Sequence, residues 1–170
     1  MNINELTESE LKNWLYDSAK LWLAHDGLWF QSVEKKHGID EAIEHDKNAW
    51  TIFSPLEAKR IKARLNLSDN SGLEGLKKAL NHRLYAILNK QEIVEETETS
   101  FVFRMNDCRV QSARKRKGLD DFPCKPVGII EYSTFATEID PRINTECICC
   151  PPDAHPESHY CAWKFTLCND

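Results

Sequence analysis

Seven cysteines in a chain of 170 residues all fall between Cys108 and Cys168, and none lies in the first 107 residues. An odd count leaves at least one thiol outside any disulfide scheme. The opening Met1-Asn2-Ile3-Asn4-Glu5 lacks the basic and apolar regions of a signal peptide and points to the cytoplasm. In that setting the thiols suggest metal or catalysis before disulfides. Cys147 and Cys150 have two residues between them, a spacing at which both thiolates can turn toward one ion. Cys161 follows eleven residues later, and Cys124 precedes Cys147 by twenty-three, at the start of an expected helix whose dipole favours thiolate over thiol. Four soft ligands at Cys124, Cys147, Cys150 and Cys161 suit zinc first, with iron or an iron-sulfur centre second. A closed four-thiolate shell has no open position, so such a metal stabilises and does not catalyse. The competing reading is reduced core cysteines packed as small hydrophobes.

Other residues invite chemistry less directly. Cys108 and Cys149 stand outside the metal set and are the candidate catalytic thiols, while Cys168 lies two residues from the end. Asp153, His155 and His159 share the loop after the knuckle and could activate a nucleophile, against the plainer reading of a polar, proline-rich surface loop. Five tryptophans, four of them in the first half, fit core positions or the walls of an aromatic pocket. The candidate pocket residues are Trp29, Trp50, Glu131, Tyr132 and Arg142, with Glu131 and Arg142 alternatively a buried pair. His25, Asp26 and Glu34 sit near an expected helix interruption at Gly27, and Arg109 with Arg114 to Lys117 forms a basic patch, read as a solvated face or a site for an acidic group. No phosphate loop, dinucleotide fingerprint or nucleophile elbow is present.

The elements that must carry these residues divide at about residue 90. Thr7 and Glu10 form a capping-box signature, followed by Leu11, Trp14, Leu15, Ser18, Leu21 and Trp22 at helical spacing, read as a core-facing stripe. A second helix is expected from Ile39 to Phe53. Ser54-Pro55-Leu56-Glu57 then reads as the start of a third, with Ser54 as cap and Glu57 completing the box. Leu73, Leu76, Leu80, Leu84, Ile87 and Leu88 predict one long helix ending near Lys90. Beyond it Val94, Phe101, Phe103 and Met105 alternate with polar residues as strands do, with a turn near Glu96 to Thr99. Two helical stretches follow, near Val110 to Lys117 and Val127 to Glu138, and Tyr160 to Leu167 alternates again with Cys161 facing inward. The expectation is an α+β domain over residues 1–170, its N-terminal helices (1–90) packed on a C-terminal antiparallel sheet (91–170) tied by the cysteine-held metal.

Composition agrees with a globular chain. Hydrophobic residues make up 41% and charged residues 29%, and the net charge is -5. That charge argues against sequence-independent nucleic-acid binding. No apolar run approaches the ~20 residues needed to cross a bilayer, so no membrane partner is expected.

The strings His25-Asp26-Gly27-Leu28-Trp29-Phe30, Cys108-Arg109-Val110-Gln111, Pro123-Cys124-Lys125, Ile139-Asp140-Pro141-Arg142-Ile143 and Cys147 to His155 resemble an uncharacterised family of small cytosolic proteins from anaerobic bacteria and archaea, over nearly the whole chain. That family has no assigned reaction. The order of helices followed by a cysteine-bearing sheet more distantly resembles the 4-vinyl reductase type of small-molecule-binding domain. That resemblance implies zinc on Cys124, Cys147, Cys150 and Cys161, with Glu146 as the alternative to Cys147, and an apolar or aromatic ligand between helices and sheet. A weaker similarity to thiazoline-carboxylate hydrolases implies ring-opening hydrolysis, without a matching catalytic set. The expected function is thus a zinc-stabilised, sensor-like protein binding a small molecule of unknown identity. The alternative is a cysteine-dependent hydrolase or a thiol redox or iron-sulfur protein, so enzyme status stays open, as does a homodimer.

Overall fold

A computed structural model describes residues 2–168. After a short 3-10 turn at Ile3–Glu5, helix α1 spans Glu8–His37 and α2 spans Ile39–Leu65. Helices α3 (Gly72–Asn81) and α4 (Leu84–Leu88) follow, then strands β1 (Lys90–Val94) and β2 (Ser100–Asp107), helices α5 (Arg109–Arg116) and α6 (Lys125–Ile139), and strands β3 (Ile143–Cys149) and β4 (Cys161–Leu167). The strands form one antiparallel sheet in the order β1-β2-β4-β3. This is the expected α+β arrangement, with the helices mostly in the N-terminal part. Among the described residues no helix is long and apolar enough to cross a membrane.

Local rules explain the start of α1. Thr7 Oγ1 accepts from Glu10 N–H at 3.3 Å while Thr7 N–H donates to the Glu10 carboxylate at 2.8 Å, so two orphan helix-end donors are satisfied reciprocally. Gly27 does not interrupt α1, which continues to His37. The chain then reverses at Gly38, whose φ of +94° is a conformation that side-chain-bearing residues rarely adopt.

Three helix assignments are corrected by tertiary packing. Ser54-Pro55 starts nothing: α2 passes through Pro55, and the fully buried Ser54 hydroxyl donates to the Glu131 carbonyl of α6 at 2.5 Å. Proline inside a helix costs ~3 kcal/mol. Here the flanking Trp50, Ala58 and Ile61 are buried and hold the helix along α6. The long helix expected to reach Lys90 breaks instead at His82 and Arg83, where Arg83 is extended. The stripe on the first half of α1 meets the core only at its end, where Trp22 packs against Phe53 and Tyr85. Leu11, Trp14, Leu15 and Leu21 are exposed, as is Trp29, and Ala19 is the one residue of α1 that is fully buried among those described.

The core lies between α2, α3, α6 and one face of the sheet. Leu76 and Leu80 of α3 and Phe135 and Ile139 of α6 meet Phe101, Phe103, Trp163 and Phe165 from the strands. Tyr132 stacks on Trp163 with ring centroids 4.7 Å apart. Gly128 lets α6 approach the sheet, since a Cβ there would lie 2.8 Å from Trp163 Cζ2. The alternation read in β2 and β4 is present, with Phe101, Phe103, Met105, Cys161, Trp163 and Phe165 in one cluster.

A candidate ligand cavity with a thiol-lined end

Between α1, α5, α6 and the sheet lies a cavity of about 520 Å³. That falls within the ~300–1,000 Å³ range of small-molecule sites. Leu23 and Phe30 of α1, Phe122 of the α5–α6 connection and Val127 of α6 give it apolar walls, and Trp50 and Tyr85 add a flat aromatic side. Trp50 and Tyr85 stack with centroids 5.9 Å apart, and Trp22 packs edge-on against Tyr85 at 5.1 Å.

Three carboxyl groups line the cavity, Asp26, Asp46 and Glu131. Burial raises the pKa of Asp46 to about 7, and the neighbouring Asp26 and Glu131 add to the rise. Burial also raises Asp26, opposed by His25, and raises Glu131, opposed by Arg83. The balancing cation is Arg83, delivered by the break between α3 and α4. It is 3% exposed, its Nε donates to Glu57 at 2.9 Å, and its Nη1 pairs with Glu131 at 2.7 Å. Its guanidinium lies over the rings of Phe135, Tyr85, Trp50 and Tyr132, 4.8 to 5.7 Å from their centroids. Burial opposes the charge, but Glu131 and Glu57 outweigh it and hold the pKa of Arg83 above its ordinary value. Arg83 Nη2 is buried without a hydrogen-bond partner. One guanidinium thus serves Glu57 and Glu131 together, and among the described residues its ion pairs include neither Asp26 nor Asp46. At the rim stand Lys20, Arg109, Arg116 and Lys117.

The far end carries sulfur. Cys108, Cys124, Cys150 and Cys161 all line the cavity, and the Sγ atoms of Cys124 and Cys150 are 3.4 Å apart. Cys150 also bonds to Cys161, and these two thiol contacts, followed by burial, push its pKa far up. Cys124 caps α6, with Gly128 N–H donating to its carbonyl at 2.7 Å. The buried Gln111 amide donates to Phe122 O at 2.8 Å and to Cys124 Sγ at 3.6 Å, locking the approach to that cap. Lys125 N–H donates to Pro151 O at 2.8 Å and so joins the knuckle loop to α6.

Of the predicted ligand set, Cys124, Cys150 and Cys161 therefore converge. Cys147 does not line the cavity. It is half-buried on β3, near Lys125, and burial pushes its pKa up to about 11 against the pull of that lysine. A bulge between Cys147 and Cys149 shifts the register of β3 just before the knuckle. Glu146 is exposed on the same strand. Among the described residues no group of three or more Cys, His, Asp or Glu side chains is preset to hold a metal ion. Tetrahedral zinc with Zn–S near 2.3 Å separates its sulfurs by roughly 3.7 Å. The Cys124–Cys150 separation of 3.4 Å is shorter than that, and Cys147 stands outside the group.

Of the predicted pocket residues, Trp50, Glu131 and Tyr132 line the cavity. Trp29 is 64% exposed and does not. Arg142 is also elsewhere, bonded to the buried Asp140 through Nε at 3.1 Å and Nη2 at 2.9 Å. Glu131 pairs with Arg83, not Arg142, because the turn after α6 carries Arg142 back onto Asp140. Glu57 completes no capping box; it belongs to the Arg83 pair. Arg114 is no solvated charge, since it is buried and bidentate on Glu34 at 3.0 and 3.1 Å. Of the candidate nucleophiles, Cys108 lines the cavity with its pKa pushed up to about 12, chiefly by burial. Cys149 packs on the opposite sheet face with Val102 and Ala162, and burial raises it too. Reactive thiols are shifted the other way. His155 Nδ1 lies 3.0 Å from Pro156 O, its Nε2 3.9 Å from Asp121, His159 Nδ1 3.0 Å from Ser158 Oγ, and Asp153 pairs with Lys125.

Sequence reasoning missed Arg83, Asp46 and Tyr85. Arg83 carried a signal: a cation three residues after Leu80 and one before Leu84, inside an otherwise apolar period.

The fold and site define a class: helices on an antiparallel sheet enclosing an aromatic, acidic and thiol-lined cavity. The chain belongs to the family of unknown function DUF6125, whose model matches residues 4–167. Neither the curated proteins nor the solved structures contain a significant match.

Proposed function

We propose that this protein binds a small, partly apolar molecule bearing a cationic nitrogen, in the cavity between helices and sheet. The observation that carries the reading is the cavity of about 520 Å³ lined by Asp26, Asp46 and Glu131 together with Trp50 and Tyr85, with Asp26 and Glu131 near enough to raise the pKa of Asp46. A buried carboxylate cluster is costly without a counter-charge. Arg83 is engaged by Glu57 and Glu131, so an ammonium group entering from the ligand relieves what Arg83 leaves uncompensated. The two stacked rings accept its aromatic or alkyl body and add cation–π attraction. Where the ligand also carries an anionic group, Arg109 and Arg116 at the rim suit it. The test is a thermal-shift and calorimetric panel of arylalkylamines against carboxylates and neutral molecules of matched shape. Amines should raise the melting temperature and bind more weakly to D46N; equal response to neutral isosteres would remove the cationic part, and no response from any class would remove the reading.

The convergence of Cys124, Cys150 and Cys161 favours a second component, a structural zinc with Cys147 as the fourth ligand. Crowded protonated thiols gain from a divalent cation that lets several ionise together. Metal analysis of protein purified without chelator should find about one zinc per chain. Visible absorption would point to iron instead. The enzyme alternatives, a cysteine-dependent hydrolase or a thiol redox protein, draw no support from the raised thiols of Cys108 and Cys149.

A further inference from the structure

The cavity has a definable mouth. Of its lining residues, the exposed ones are Lys20, Ala24 and Leu28 on α1 and Arg109, Arg116 and Lys117 on α5 and its C-cap. Every other lining residue is buried or half-buried. The opening is therefore a slot between α1 and α5. It is tied at one end, where Lys117 Nζ donates to Gln31 Oε1 at 2.8 Å and Arg114 grips Glu34. Gly27 also lies on the lining. A glycine inside a helix gives up helix propensity. Packing does not require it here, because the nearest atom that a Cβ at Gly27 would meet is Gln31 Nε2 at 3.9 Å, an ordinary contact. The missing side chain leaves width at the slot.

Charge is ordered along this path. The exposed polar residues at the mouth, Lys20, Arg109, Arg116 and Lys117, are all cations, in a chain whose net charge is -5. Lys117 is engaged by Gln31, and Lys20 has Asp17 at 3.6 Å. The side chains of Arg109 and Arg116 have no hydrogen bond or ion pair among the described residues. The carboxyl groups of the lining, Asp26, Asp46 and Glu131, are half-buried and stand further in. We infer that the slot is the entrance of the cavity and that it admits an amphoteric aromatic molecule, its ammonium going inward to the carboxyl groups and its carboxylate held at the mouth by Arg109 and Arg116. A bare amine is repelled by the mouth and a bare acid by the interior, whereas a molecule charged at both ends meets its complement at each. The planar fork of arginine suits a carboxylate. The inference rests on the reading that the inner carboxyl groups take an ammonium, and adds to it the second charge and the direction of entry.

Three probes of matched shape decide it: para-aminoethylbenzoate carries both charges, para-methylphenethylamine only the ammonium, and para-ethylbenzoate only the carboxylate. In calorimetry of the full chain para-aminoethylbenzoate should bind about tenfold tighter than para-methylphenethylamine. Para-ethylbenzoate should bind weakest. R109Q/R116Q should remove the preference for the amphoteric probe without weakening para-methylphenethylamine. G27L should slow association of para-aminoethylbenzoate on the order of tenfold in stopped-flow fluorescence, while melting no lower than the wild type, since leucine forms helix better than glycine. Equal affinity for the two amines, or a preference that survives R109Q/R116Q, overturns the inference and leaves the amine reading standing. An unchanged association rate in folded G27L overturns the entrance. Binding by neither amine removes the amine reading, and this inference with it.

Discussion

Arg83 and Glu131 meet at 2.7 Å beneath the cavity, joining the break between α3 and α4 to the middle of α6. The same guanidinium reaches Glu57 of α2, so three helices share one buried charge. The pairing holds the acidic side of the cavity in place, and it costs the molecule a broken helix and an unpartnered Nη2.

Replacing Arg83 by methionine should destabilise the protein by about 3–5 kcal/mol, because Glu57 and Glu131 remain buried and uncompensated. Urea denaturation checks this. The triple variant R83M/E57Q/E131Q should recover part of the loss, whereas R83K should not restore wild-type stability, since an ammonium cannot reproduce the fork that serves two carboxylates.

The raised pKa of Asp46, about 7 against 3.8, fixes a pH dependence. Between these values the folded state holds more protons than the unfolded state, so this group makes stability fall as pH rises from about 4 to 7. D46N should flatten that slope in a series of melts across the window. Amine binding should strengthen as pH rises through 7, where Asp46 ionises; an affinity independent of pH there would place the ammonium elsewhere.

Asp140 works with the opposite sign. Its fully buried carboxylate accepts from Arg142 Nε and Nη2, from Arg142 N–H at 3.1 Å and from Gly72 N–H at 2.8 Å. The Arg142 side chain is the main cause of a pKa lowered to about 2 from 3.8. The associated stability, about 2 kcal/mol at 1.36 kcal/mol per pH unit, is present above pH 4 and is lost as pH falls toward 2. D140N should lose a comparable amount at pH 7 and lack that acid-side slope in urea titrations.

Gly128 to Ala should destabilise despite the better helix propensity of alanine, worth ~1 kcal/mol. The added methyl meets Trp163 Cζ2 at 2.8 Å, and overpacking of this kind costs ~1–3 kcal/mol. A rise in the urea midpoint would show that Trp163 can yield.

The strands were legible because a two-residue alternation such as Phe101, Phe103, Met105 has one solution when one face is buried. The cysteine knuckle was less legible: its spacing placed Cys147 and Cys150 on one site, and of the two only Cys150 lines the cavity, since a bulge shifts the register of β3 between Cys147 and Cys149. Helical periodicity carried less. It showed that Leu11, Trp14, Leu15 and Leu21 share a face of α1, and was silent on what that face meets. Ser54-Pro55 satisfies the local rules of a helix start, and the buried bond from Ser54 to Glu131 O overrode them.

The sequence by itself determined the class of fold, the hairpin turn near Glu96 to Thr99, the two helices read at Val110 to Lys117 and Val127 to Glu138, and the approach of Cys124, Cys150 and Cys161. The elements depend on side chains a few positions apart. Only the tertiary structure decided that Arg83 belongs to Glu57 and Glu131, that Arg142 belongs to Asp140, that Trp29 faces outward, and that Asp26, Asp46 and Glu131 surround one cavity with Cys108, Cys124, Cys150 and Cys161 at its end. The pairs of Arg83 and the walls of the cavity join residues tens of positions apart, and even Arg142 with Asp140, two positions apart, depends on the turn after α6; electrostatic attraction has no period along the chain from which to read them.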